Sequence, residues 1–230
     1  MSNDSDKKPH YHGHRQRLRE KFINNDDEVL ADYELLEILL FASSPRSDVK
    51  PLAKDLLKEF GSLRKILAAS NEELFAIKGI NQAAISAIKI TRVLSLRALN
   101  EEIEEKTILQ SWDSLLDYCR MSMANIKIEQ FRIFFLDKKN QLIANELQQE
   151  GTIDHTPVYP REVVKRALEL GASALILVHN HPSGDPSPSK EDMVITKKIA
   201  QIALPLGIEI HDHLIIGGNK HFSFSSNGLM

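Results

Sequence analysis

The sequence predicts an α+β or α/β protein in two parts, a small all-helical region followed by a domain with a mixed sheet. Three observations carry this expectation. From Arg15 to about Asn100 apolar residues recur at three and four, as in Leu52, Leu56 and Leu57 and then Leu63, Ile66 and Leu67. Beyond about Thr107 the period changes repeatedly, which is the pattern of helices covering a central sheet. The chain has 230 residues, 42% hydrophobic and 27% charged, an ordinary globular composition that suffices for one large or two modest domains.

Residues 1–14 are polar, carry His10, His12 and His14, and hold too few apolar residues to be fixed against a core, so they predict a disordered tail. Residues 15–107 follow as the helical region, with ADYELLEILLFA, VKPLAKDLLKEFGSLRKILAAS, NEELFAIKGI and QAAISAIKITRVLSLRAL joined by the short connections SSPRSD, FGS and KGIN. The charged run EEIEEKT marks the expected boundary, near Thr107. In residues 108–230, SWDSLLDYCRMSM reads as a helix, and FRIFFLD and QLIANELQQ flank the turn residues KKN as a hairpin. PREVVKRALELG is a helix with Pro160 in its first turn and Gly171 at its C-terminal cap, followed directly by the buried strand ALILVHNH. After a Pro/Ser/Gly loop come the helix SKEDMVITKKIAQIAL and the strands IEIHDHLIIGG and KHFSFS.

Twenty-nine Lys and Arg against 32 Asp and Glu leave a formal charge of -3, so no global positive field draws the chain to nucleic acid and any DNA contact must be local. The single cysteine, Cys119, excludes an internal disulfide and a cysteine-based zinc site, and fits a reducing compartment. The opening residues lack the apolar stretch of a secretory signal, and no run approaches the roughly 20 apolar residues of a membrane span. The expectation is a cytoplasmic protein without a membrane partner.

The strongest chemical signal is HNHPSGDPSPSKED, residues 179–192. Side chains alternate across a strand, so His179 and His181 project from one face at its C-terminal end and Asn180 from the other. Pro182, Gly184, Pro186 and Pro188 force a loop, after which Ser189 is placed to cap a helix whose first turn contains Asp192. Read singly, two histidines end a strand and an aspartate favours a helix N-terminus. Read together, two imidazoles, one carboxylate and an open fourth position are what a catalytic zinc site requires.

This stretch resembles the RadC family, whose C-terminal domain is similar to the JAB/MPN metalloproteases with their His-x-His-Pro, Ser-x-x-Asp signature; the helical region also looks like the RadC N-terminal domain. The resemblance implies a JAB/MPN-like domain, layered as in cytidine deaminases, with His179, His181 and Asp192 holding Zn2+ and Ser189 donating to a developing oxyanion. The N-cap role of Ser189 is compatible with the same position. It also implies an amide or isopeptide hydrolase acting on a protein or peptide substrate, with an upstream carboxylate as general base. Glu129, just before FRIFFLD, resembles the catalytic glutamate of JAB/MPN proteins in its place at the start of the first strand after a helix; Glu146, in the next strand, is the runner-up.

Weaker signals remain. LFAIKGINQAAISAIK resembles a helix-hairpin-helix element, which would bring residues 74–92, with Lys78, Lys89 and Arg92, to a DNA phosphate. The usual Gly-Ile-Gly is Gly79-Ile80-Asn81 here; asparagine takes a positive φ more readily than most residues but at more cost than glycine, which weakens phosphate approach. His211, Asp212 and His213 form a second His-x-His but lack a third ligand, so they read as strand residues, with Asp212 or His213 supporting the metal site. His155 and His221 belong to no constellation and read as surface or loop residues. The alternatives to a hydrolase are a DNA-binding repair or recombination factor with an architectural or nucleolytic metal domain, and an interaction module with a blocked site.

Overall fold

The computed structural model describes residues 13–24, 30–45, 47–151 and 158–230. It divides into two compact units, Met1–Leu94 and Ser95–Met230.

The first unit is helical: α1 (His14–Asn24), α2 (Asp32–Leu40), α3 (Lys50–Phe60), α4 (Leu63–Ala68), α5 (Asn71–Phe75) and the first half of α6 (Gln82–Glu105). Local chemistry sets the breaks. Pro51 opens α3, whose C-cap Gly61 takes φ 77 and returns its N–H to the Leu57 carbonyl. Ser62 caps α4 and Ser70 caps α5 in a capping box with Glu73. The four-residue spacing brings Leu52 and Leu56 into one core with Leu36, Leu40, Ile66, Leu74 and Ile88. Leu56 is fully buried whereas Leu57 only packs against the core's edge. Leu56→Ala is accordingly expected to lower stability by about 2–5 kcal/mol in denaturant unfolding, and Leu57→Ala by clearly less.

Two details differ from the sequence-based expectation. His14, assigned to the tail, is the first residue of α1, with its Nε2 2.9 Å from Glu37 Oε2; His10 and His12 lie outside the described residues. The division between units falls inside α6, before Thr107, because Ile103 near the helix end is fully buried in the core of the second unit with Ile108 and Leu115.

The second unit continues with α7 (Trp112–Met123), β1 (Glu129–Leu136), β2 (Leu142–Gly151), α8 (Pro160–Leu170), β3 (Ala174–Asn180), α9 (Lys190–Ala203), a 3-10 turn (Leu204–Leu206), β4 (Glu209–Gly217) and β5 (Lys220–Ser223). The sheet order is β2-β1-β3-β4-β5. Only β3 and β4 pair in parallel; the other neighbours are antiparallel, so the sheet is mixed. Asn140, at φ 59, makes the hairpin turn between β1 and β2. One face carries Phe134, Leu136, Ile176, Val178 and Leu214 against α7 residues such as Leu115 and Cys119. The other carries Ile133, Phe135, Leu175 and Leu177 against Val163 and Ala167 of α8 and Ile199 of α9. Covered on both faces, β3 is buried along its whole length, which is why its sequence is apolar without alternation. Burial in this core pushes the Cys119 thiol pKa up to about 12, so it is an inert packing group.

Candidate metal centre

The β-sheet delivers the two histidines and the α9 cap delivers the carboxylate. His179 is the penultimate residue of β3, 1% exposed, and pairs across the sheet with Phe131. His181 lies just past the strand, where its N–H donates to the Ile216 carbonyl at 2.9 Å. Gly184, at φ 83, turns the chain, and the loop reaches Ser189, whose hydroxyl accepts the Asp192 N–H at 3.1 Å. Asp192 Oδ2 accepts the Ser189 N–H and the Ser189 hydroxyl, both at 2.7 Å. This closed capping box fixes the carboxylate at the start of α9 and turns it towards the strand end.

His179, His181 and Asp192 are the one group among the described residues that could hold a metal ion, each offering an atom within 4.8 Å of the others. The edges of the group are 3.0 Å between His179 Nε2 and His181 Nε2, 3.2 Å from His179 Nε2 to Asp192 Oδ1, and 3.4 Å from His181 Nε2 to Asp192 Oδ2. Ligand bonds of about 2.0–2.1 Å at tetrahedral angles place neighbouring ligand atoms roughly 3.3 Å apart, close to each of these separations, although the two histidines meet different oxygens of Asp192.

The outer partners fix the protons. Thr196 Oγ1 donates its only proton to the Asp192 carbonyl at 2.6 Å and must therefore accept from His213 Nδ1 at 2.5 Å. His213 Nε2 is then an acceptor, and takes the Nδ1 proton of His179 at 2.8 Å. His181 in turn donates its Nδ1 proton to the Asp185 carbonyl at 2.8 Å. These tautomers, assigned from the hydrogen-bond network, leave both Nε2 lone pairs facing each other and the carboxylate with no proton between them. A cation resolves that arrangement, and the outer partners are those that orient metal-bound imidazoles in general.

The same three side chains attract protons where no cation offsets the carboxylate: burial pushes the Asp192 pKa up, but hydrogen bonds from His179 and His181 outweigh it, and the net result is a carboxyl held well below its usual range. His181 is raised, chiefly by its hydrogen bond to Asp192. His213, fully buried and next to His179, is pushed well down by desolvation and stays neutral.

The comparisons with known proteins converge on one family. Residues 109–229 match the model of the RadC-like JAB domain, and residues 12–86 match the UPF0758 N-terminal model. A UPF0758 protein of Ruegeria pomeroyi is 52% identical over 217 residues, which cover 94% of this chain and 97% of the relative. The chain belongs to the RadC family. Its JAB-like domain, residues 109–229, lies within the second unit and contains the His-His-Asp group, between the carboxyl end of β3 and the first turn of α9.

Around this RadC centre the other candidates fall in different places. Glu129 is the exposed first residue of β1. Continuing the antiparallel register from Phe131↔His179 by two residues sets it opposite His181, and its charge raises the His181 pKa. Asn180, on the other face, clamps this strand entrance: its Oδ1 accepts from the Gln130 N–H at 2.8 Å, and its Nδ2 donates to the Ile128 and Ile126 carbonyls at 3.1 and 3.4 Å. Glu146 is tied to the Arg166 guanidinium, with its shortest contact at 2.6 Å, and that hydrogen bonding lowers its pKa. A carboxylate held so is a poor proton acceptor. The Ser189 hydroxyl points at Asp192.

Asp212 is buried and accepts from the His213 N–H, the Ser223 hydroxyl and the Ser225 N–H, so it ties β4 to the C-terminal turn. His211 meets Asn140 Oδ1 at 2.7 Å and His221 meets Arg120 at 3.1 Å; His155 lies outside the described residues. Thr196 carries no motif and is missed by sequence reasoning; its four-residue spacing from Asp192 is the only local signal. In the helical unit, Gly79 takes φ 88, while Asn81 is not left-handed and caps α6 by accepting the Ala84 N–H at 2.8 Å. Lys89 donates its ammonium to the Ala69 carbonyl. No helix among the described residues is long and apolar enough to cross a membrane.

Proposed function

We propose that this protein is a zinc-dependent hydrolase that cleaves an amide or isopeptide bond in a protein or peptide substrate. The observation that carries the reading is the convergence of two imidazole Nε2 atoms and one carboxylate, each imidazole with its Nδ1 proton committed to an outer acceptor. A His/His/carboxylate set suits zinc among the available divalent ions. When bound, zinc lowers the pKa of a coordinated water towards about 7 and polarises a carbonyl oxygen.

His179, His181 and Asp192 would hold the ion. Glu129, at the rim beside His181, takes the proton of the attacking water and passes it to the leaving amine. Ser189 turns its hydroxyl from Asp192 towards the oxygen on which negative charge develops. Asn180 keeps Glu129 in place through the backbone on either side of it. The DNA-binding alternative has Lys89 engaged with a backbone carbonyl and Arg92 half-buried, so it rests on Lys78 and the turn amides and is not adopted.

The test is cleavage of a proteome-derived peptide library read by mass spectrometry, with zinc content measured on the same samples. Glu129→Gln is expected to retain zinc and to lose activity by at least about 100-fold, the scale of general acid–base catalysis. Undiminished cleavage in that variant would remove Glu129 from the mechanism, and a zinc-loaded wild type that cleaves nothing would favour the interaction-module alternative.

A further inference from the structure

The metal loop closes onto the end of β4 at a point where a side chain has no room. Gly217, the last residue of β4, is buried. A Cβ built there would lie 2.6 Å from the Pro186 nitrogen, 2.7 Å from the Gly184 oxygen and 2.9 Å from the Asp185 carbonyl carbon. All three atoms are backbone, so no rotamer change relieves the overlap. Gly217 is also absent from the glycines with positive φ. The position therefore demands glycine for space, not for backbone conformation.

What crosses Gly217 is the segment whose Asp185 carbonyl takes the His181 Nδ1 proton at 2.8 Å. The same loop is pinned at its start by the His181 N–H on the Ile216 carbonyl and by the Gly184 N–H on the His181 carbonyl, each at 2.9 Å. With its start held beside β4, the loop can yield to a methyl group at 217 only by lifting residues 184–186, which withdraws the Asp185 carbonyl from His181. We propose that Gly217 is a positioning residue of the metal centre: its bare Cα lets the 184–186 backbone close onto β4 and holds the Asp185 carbonyl where it fixes the tautomer and orientation of His181.

This inference rests on the metal reading above, and the experiment separates the two. Zinc affinity of the full chain is measured by competition with a chelator for wild type, Gly217→Ala and Gly207→Ala. Gly207 caps the 3-10 turn at φ 75 with nothing within 4 Å of a built Cβ, so its variant is strained without crowding the loop. Gly217→Ala is expected to weaken zinc binding about 10–100-fold, the scale of losing an outer hydrogen bond to a ligating histidine, with Gly207→Ala unchanged. Equal affinity of Gly217→Ala and wild type overturns the proposal, whereas a wild type that binds no zinc overturns the metal reading instead. Should Gly217→Ala fail to fold, long-range 1H–15N spectra of wild type decide. A His181 Nδ1 proton slow to exchange with water supports the assignment, and one exchanging like that of an exposed imidazole overturns it.

Discussion

Asp192→Ala is expected to weaken zinc binding by more than about 100-fold, beyond the loss that follows removal of an outer partner alone. Asp192 would supply the one anionic ligand of the proposed site, and its two oxygens reach the two histidines, at 3.2 and 3.4 Å. Alanine leaves two neutral imidazoles, whose lone pairs no longer converge on a third donor. It also breaks half of the Ser189 capping box, while Ser189 still accepts the residue-192 N–H, so the fold loses only about 1 kcal/mol. Elemental analysis should find about one zinc per chain in the wild type and essentially none in Asp192→Ala or His179→Ala. Thermal melts give an independent reading. Zinc at a thousandfold excess over its Kd adds about 4.1 kcal/mol of stability to a protein that binds it only when folded. That stabilisation should be present in the wild type and missing in both variants; an equal rise in all three would mean that the ion binds elsewhere.

The second large effect is expected from His213→Ala. His213 is fully buried between His179 and Thr196, with its ring 4.8 Å from that of Phe224. Truncation opens a cavity and leaves the buried His179 Nδ1 proton without its acceptor. The two terms together predict a loss of about 3–5 kcal/mol in apo-protein stability. Freed from His213, the His179 ring can place its proton on Nε2, where it blocks ligation, so zinc affinity should fall about 10–100-fold as well. Chelator competition and denaturant unfolding measure the two effects separately. Destabilisation with unchanged zinc affinity would make His213 a packing residue and nothing more.

Much of the fold is legible because its signals are local. Leu52 and Leu56 mark a helix face within one turn, Pro160 and Gly171 bracket α8, and the run ALILV announces a strand covered on both faces. The candidate ligands are legible for the same reason: the two-residue period sends His179, near the end of β3, and His181, one residue past it, to the same side, and Ser189 and Asp192 are the two ends of one capping box.

The sequence by itself therefore determined the helical and mixed-sheet architecture and the His-His-Asp group, each of which depends on spacings of a few residues. Only the tertiary structure decided what surrounds the group. That His213, and not His211, meets His179 follows from the parallel pairing of β3 with β4 in the register Leu177↔His213, across a shift between Leu175 and Ile176. That Glu129 stands beside the site while Glu146 is occupied by Arg166 follows from the β1–β3 register and from where α8 crosses β2. That Gly217 must lack a side chain follows from the metal loop folding back over the end of β4. Each is a contact between segments far apart in the chain, and a two-residue or 3.6-residue period carries no information about which distant strand, in which register, will lie alongside.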